Sequence, residues 1–420
     1  MVSNRLNVQS KLEGMACYYM VLLVAMVALA ASMTSFPLIL RYARKHRIVD
    51  NPNARKLQRV PVPVMGGVVV YTGILTGGIV MNMFIHSNVI LFGLAGMTLM
   101  MIIGVWDDIR DISAIFRFLF EIVLVGAFIS LTGTYIDNFH GLWGVYELPF
   151  LIAYPLSIVA GVGIINAVNL IDGVDGYSSG YGMLACALFG VVFAMSDCIA
   201  MVCLALIGIA ALFPFFMHNV FGQRSKMFIG DGGTLMMGML MTTFVFTFLS
   251  SKQPSSRFEA EGMSLPAFSL AVLCIPVFDT VRVMFMRICR GTSPFHPDKT
   301  HLHHLFIDMG FSHLGSALFI LLINFLVVVA WFVSWKLGAS IDVQTYIVIA
   351  LGVLVTFCFY KLMKNQQNGG PVDEEGYPLG TPLWHFMCHL GTYTHREDRQ
   401  SWRVMRELMD TPILPVRWLR

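Results

Sequence analysis

Apolar runs of about twenty residues alternate with short polar stretches along most of the chain. The first covers about 17–40, and others follow at about 65–85, 89–105, 114–132, 149–166, 180–195, 198–217, 233–250, 264–285, 313–335 and 341–361. Runs of this length match the apolar thickness of a bilayer. The pattern therefore predicts an all-α, polytopic transmembrane bundle of about eleven helices. Residues 1–16 read as a short polar arm, and beyond Lys361 the composition turns polar through Asn365-Gln-Gln-Asn-Gly-Gly-Pro371. Two units follow, a transmembrane unit over 1–361 and a tail over 362–420. In the tail, Trp402, Met405, Leu408 and Met409 lie at helical spacing opposite Arg403 and Arg406, as in an interfacial helix. Disorder, or packing on neighbouring loops, stays open as an alternative.

Composition agrees: 56% of the 420 residues are apolar and only 13% charged, with a mean hydropathy of +0.71. A net charge of +3 gives no reason to expect a nucleic-acid partner, so the placement of the basic residues matters more than their number. Arg41, Arg44, Lys45 and Arg47 follow the first run, whereas a signal peptide carries its charge before the apolar core. By the positive-inside rule, loops 41–64, 106–113, 167–179, 218–232 and 286–312 and the tail fall in the cytoplasm, leaving only Lys252, Arg257 and Lys336 as basic residues in the outer loops. The eight cysteines are scattered with no C-x-x-C and read as small buried hydrophobes.

The unusual polar clusters all fall in the loops of that one side. Asn166-Ala-Val-Asn-Leu-Ile-Asp-Gly-Val-Asp-Gly176 places Asn166, Asn169, Asp172 and Asp175 at every third position, a polar ladder on one face if the segment is helical. A loop using Asn, Asp and Gly for turn chemistry is the alternative. Asp107, Asp108 and Asp111 close the third run, and clustered carboxylates repel unless a cation or a proton relieves them. In Lys226-Met-Phe-Ile-Gly-Asp-Gly-Gly-Thr234, glycines flank Asp231 at a helix start whose N–H groups could face an anion, or be capped in the ordinary way. His296, His301, His303 and His304 with Arg287, Arg290 and Lys299 could hold a polyphosphate. Zinc is the weaker reading there, because H-E-x-x-H spacing is missing and no cysteine is near. Asp279, with Arg282 three residues on, sits inside an apolar run, where an ionisable group marks function or pairing. The loop from Asp50 to Gly67 sets Arg55, Lys56 and Arg59 in a Pro- and Gly-rich frame.

Together these clusters describe a site for a divalent cation and a phosphorylated ligand at the membrane surface. Mg²⁺ suits it, with Mn²⁺ as the substitute, because it bridges carboxylate to phosphate. A cation-coupled transporter is the rival class, but it would spread polar residues near midplane through several runs. A non-catalytic membrane scaffold is a third.

The motifs also resemble a known family. Lys56 with Pro61-Val-Pro-Val-Met-Gly-Gly67, Asp107-Asp108, Asn166-x-x-Asn169-x-x-Asp172-Gly-x-Asp175-Gly176, Phe228-Ile-Gly-Asp231 and His301-Leu-His-His304, in this order over roughly 17–360, resemble the polyprenyl-phosphate N-acetylhexosamine-1-phosphate transferases. The resemblance implies a helical bundle with a cytoplasmic active-site cleft and a lipid groove. It implies Asn169 and Asp231 as Mg²⁺ ligands; Asp107, Asp108, Asp172 and Asp175 as catalytic or positioning carboxylates; and Lys56, Asn166, His301, His303 and His304 near the substrate. The segment Pro294 to His304 resembles the branch that acts on UDP-N-acetylglucosamine and undecaprenyl phosphate in a prokaryotic inner membrane, with UDP-MurNAc-pentapeptide or another UDP-N-acetylhexosamine as the alternative donor. A homodimer is left open. Gln58 stands where many members carry His, and Lys299 where Arg is usual.

Overall fold

The computed structural model describes residues 2–50, 60–252, 256–294, 299–368, 386–392, 394 and 403–410. Helix α1, Val2–Lys45, absorbs the expected polar arm into one long helix. Helices α2 (Gly66–Asn82), α3 (Asn88–Arg110), α4 (Ala114–Thr132), α5 (Phe150–Leu170), α6 (Tyr177–Met195), α7 (Ile199–Phe221) and α8 (Gly230–Phe248) follow. Beyond them come α9 (Ser256–Ala260), α10 (Leu265–Val272), α11 (Cys274–Cys289), α12 (Leu302–Asp308), α13 (His313–Lys336) and α14 (Ile341–Val353). Serines start several of them: Ser87, Ser264, Ser312 and Ser340 each accept an N–H from the first turn.

The chain is a multi-pass, all-α membrane protein, but the expected eleven spans are not reached. Among the described residues eight helices are long and apolar enough to cross a membrane, or nine if the bent pair α10–α11 is one span. The two that fall short have different reasons. Helix α2 has 17 residues, about 25 Å at 1.5 Å per residue. Helix α8 is diluted by Asp231, four glycines and threonines. It does not need to be apolar, because every residue in it except Asp231 is buried, so the protein, not lipid, is its solvent. The bend of 73° between α10 and α11 would strand backbone groups in hydrocarbon. Asn324 of α13 relieves both sides, accepting from Ile275 N–H at 3.0 Å and donating to the Val272 carbonyl at 3.1 Å.

Small residues let α8 sit at the centre. A methyl group on Gly233 would lie 2.7 Å from the Gly67 Cα of α2, one on Gly104 2.5 Å from the Asp231 carbonyl carbon, and one on Gly238 2.6 Å from the Ile165 Cα of α5. The Pro-Gly frame of the 50–67 loop also finds its purpose here. Strand β1 (Val49–Asp50) pairs antiparallel with β2 (Val62–Pro63), and Phe228 N–H donates to the Pro63 carbonyl at 2.8 Å. Gly66 and Gly67 N–H then donate to Phe228 and Ile229 at 2.8 and 2.7 Å. The polar loops assigned to one side do meet at one end of the bundle. The opposite end is tied by Asp137 to Ser251 and by His140 to Glu259.

Candidate active site

The last turn of α3, the first turn of α8 and the end of α5 meet at this end. The Asp108 carboxylate accepts from the N–H groups of Asp231 and Gly232 at 3.0 and 3.3 Å, so α3 caps α8 from outside. The expectation that these N–H groups face an anionic ligand is thereby corrected: a protein carboxylate occupies them. Capping fixes the Asp231 backbone and leaves its side chain 39% exposed. Asn169, buried, donates to Asp231 Oδ1 and to Thr234 Oγ1, both at 2.8 Å. Asp107 accepts from Ile112 N–H at 3.0 Å and from Arg117 at 2.8 Å, and the same guanidinium lies 3.7 Å from Asp231. Asp111 turns away. It leaves α3 in the left-handed region at φ 47° and is exposed.

Asn166 stands behind this group. Its amide donates to Glu121 and to the Val162 carbonyl, and Glu121 in turn lies 3.8 Å from Arg117, one helical turn earlier. Asn166 is therefore brought to the site's wall.

The ladder does not continue as a helix past Leu170. Asp172 and Asp175 lie in a turn that ends at Gly176, φ 78°, whose N–H donates to Asn219 at 2.7 Å. Asp172 opens to the cleft and accepts from Ser178 at 2.7 Å. The protein mass around it withdraws water and pushes its carboxyl up to about 7, with Ser178 opposing and Asp231 and Asp175 adding repulsion. Asp175 is set differently. Desolvation would raise it, but His313 at 2.9 Å and Lys226 at 2.6 Å outweigh that and hold it below the usual carboxylate range.

The histidine segment runs under the turn. His303 is buried and fills the space where a side chain on Gly173 would start, which is why the motif needs glycine there. Burial pushes His303 well below the usual histidine range, reinforced by His304 and His301. Burial and then His301 push His304 down to about 4, against Asp308. Both imidazoles are thus held toward their neutral forms.

A pH test follows. Below about pH 6.5 an unfolded histidine takes up a proton, whereas folded His304 stays neutral until about 4. The folded chain binds fewer protons in that window, so stability falls as pH drops through it. His304→Gln should flatten part of that loss, read as the unfolding midpoint in detergent. Parallel losses in variant and wild type would contradict the assignment.

The structure thus gathers Asp107, Asp108, Asn169, Asp172 and Asp231, pairs Asp175 with Lys226, and places Asn166 and His303 behind the surface. Lys56, and His296 upstream of His301, lie outside the described residues. Sequence reading missed Arg117, Glu121 and His313. The first two carried a signal, a charged pair four residues apart inside an apolar run.

Fold and site define a multi-pass membrane protein with clustered carboxylates and amides at the helix ends. The family described as glycosyl transferase family 4 matches residues 90–249. The undecaprenyl-phosphate alpha-N-acetylglucosaminyl 1-phosphate transferase of Escherichia coli (strain K12) is 34% identical over 281 residues, 65% of this chain and 72% of that protein. Its counterpart in Yersinia pestis is 29% identical over 65% of this chain and 73% of its own length. The probable undecaprenyl-phosphate N-acetylglucosaminyl 1-phosphate transferase of Bacillus subtilis (strain 168) is 29% identical over 71% and 81%. The chain belongs to glycosyl transferase family 4.

Proposed function

We propose that this protein transfers N-acetylglucosamine 1-phosphate from UDP-N-acetylglucosamine to undecaprenyl phosphate, releasing UMP at the cytoplasmic face of a prokaryotic inner membrane and starting a surface polysaccharide. The observation that carries the reading is the junction of Asp108, Asp231 and Asn169 at one end of the bundle, beside Asp107, Asp172 and Arg117. The names of the relatives supply the substrate class.

Mg²⁺, or Mn²⁺ in its place, is part of this proposal. Among the described residues no three His, Cys, Asp or Glu side chains form a ready-made metal cage. The donor chemistry nevertheless fits a hard cation shared with substrate, because Mg²⁺ usually takes one or two protein carboxylates and completes its shell with phosphate and water. Asp107 and Asp231 share one guanidinium, Arg117. Burial, joined by repulsion from Asp231, pushes Asp172 above the usual carboxylate range, Asp231 and Asp107 also repel Asp108, and a bound cation would relieve both repulsions. Asp231 and Asn169 would hold the ion, which when bound spreads the charge of the diphosphate.

The chain's own residues then act as follows. A lipid phosphate monoester, with its second pKa near ~6, is mostly dianionic at neutral pH and needs little help from a base. Its oxygen forms a bond to the β-phosphorus, the bond to the bridging oxygen breaks, and UMP leaves with that oxygen. Asp108 is committed to two backbone N–H groups and Asp107 to Arg117, so both position the site; neither is arranged to remove a proton. Arg117 and Lys226, paired with Asp107 and Asp175, lie beside the cleft and would offset part of the diphosphate charge.

Purified protein should release UMP from UDP-N-acetylglucosamine only when both polyprenyl phosphate and Mg²⁺ are added, and other UDP-sugars should be slower. No UMP with any donor in a panel would sink the enzyme reading, and preference for another UDP-sugar would replace the donor.

A further inference from the structure

Asp279 belongs to none of the groups above, yet both of its carboxylate oxygens are bonded within the protein. It is 4% exposed and lies on α11 just beyond the break in that span. Its Oδ1 accepts from Arg282 at 2.6 Å and its Oδ2 lies 2.9 Å from His301 Nδ1, while Leu302 N–H approaches both oxygens at 3.2 Å. Arg282 is held in turn, stacked 3.7 Å from the Tyr360 ring and donating to the Thr300 carbonyl at 2.5 Å. Helix α12 has no side-chain cap of its own, so Asp279 supplies one. Within His301, His303 and His304, only His301 sits on a carboxylate among the described residues.

From this geometry we infer that Asp279 is a positioning residue that keeps the His301 proton on Nδ1, leaving Nε2 as an acceptor for a hydroxyl of the nucleotide-sugar substrate. The inference rests on the function proposed above and assigns His301 to the substrate side of that site. A carboxylate accepts and does not donate, so the nitrogen opposite it carries the hydrogen. An asparagine there would be polarised by Arg282, which claims the amide oxygen and turns the NH₂ toward His301. The proton would then move to Nε2.

The test uses the full-length protein in detergent. Nitrogen-15 histidine spectra, with the His301 signals identified by their loss in His301→Ala, should show the proton on Nδ1 in wild type and on Nε2 in Asp279→Asn. UMP release by Asp279→Asn should fall about 10- to 100-fold in kcat, with KM for the UDP-sugar changed less than about threefold. In the His301→Ala background the same change should have no further effect, since the two act as one unit. An equal loss in both backgrounds, or a wild-type proton on Nε2, overturns the inference. The wild-type spectrum decides the matter even if the Asp279 variant fails to fold. A wild type that releases no UMP would refute the proposed function while leaving the tautomer readout to judge Asp279.

Discussion

Asp231→Asn should reduce kcat/KM for UMP release on the order of 10³-fold while leaving the unfolding midpoint unchanged. The separation of the two readouts is the reason to choose this residue. Its backbone N–H is held by Asp108, so the substitution leaves the first turn of α8 anchored. Its side chain is 39% exposed and accepts from Asn169, a bond an amide oxygen can still receive. What disappears is one negative charge at the place where the proposed cation and the diphosphate would meet. Mn²⁺ binding followed by electron paramagnetic resonance should weaken in parallel. Activity within tenfold of wild type would remove Asp231 from the centre of the site, and a lowered midpoint would reassign it to folding.

Gly104→Ala and Gly238→Ala should each destabilise the protein by upwards of about 3 kcal/mol, beyond the ordinary cost of overpacking because backbone atoms cannot rotate away. The added carbons would sit 2.5 Å from the Asp231 carbonyl carbon and 2.6 Å from the Ile165 Cα. Gly163→Ala is the control. It is an exposed position on α5 with nothing within 4 Å of the new carbon, so helix propensity alone should raise stability by about 0.5–1 kcal/mol. Size-exclusion profiles and unfolding midpoints in one detergent would compare the three. Equal behaviour of all three would show that α8 can shift within the bundle.

The hydrophobic pattern carried the helices well, because a bilayer leaves few ways to satisfy a backbone. It misjudged α8, since burial inside protein lifts the demand for apolar side chains that a lipid-facing run must meet. The acidic and amide motifs were legible as a group. Their internal roles were not, because roles depend on partners distant in sequence. Asp107 and Asp108 are adjacent, yet one binds Arg117 and the other caps a helix. Gly173 lies in the turn and also leaves the gap that His303 fills, which residue type alone does not show. His303 and His304 were legible as a histidine cluster, but that burial disfavours their charged forms was not, because burial cannot be read from residue type.

The composition of α8 also bears on how the protein is made. A segment opening with Gly-Asp-Gly-Gly is a poor candidate for direct release into lipid as it emerges during synthesis. Four helices that pack along it, α2, α3, α5 and α6, precede it in the chain, and its last turn meets α9 and α10 through Phe248. Most of its covering is therefore synthesised before α8, which offers the segment a protein groove to enter in place of bare hydrocarbon. Chain order thus does for α8 what apolar side chains do for the other spans.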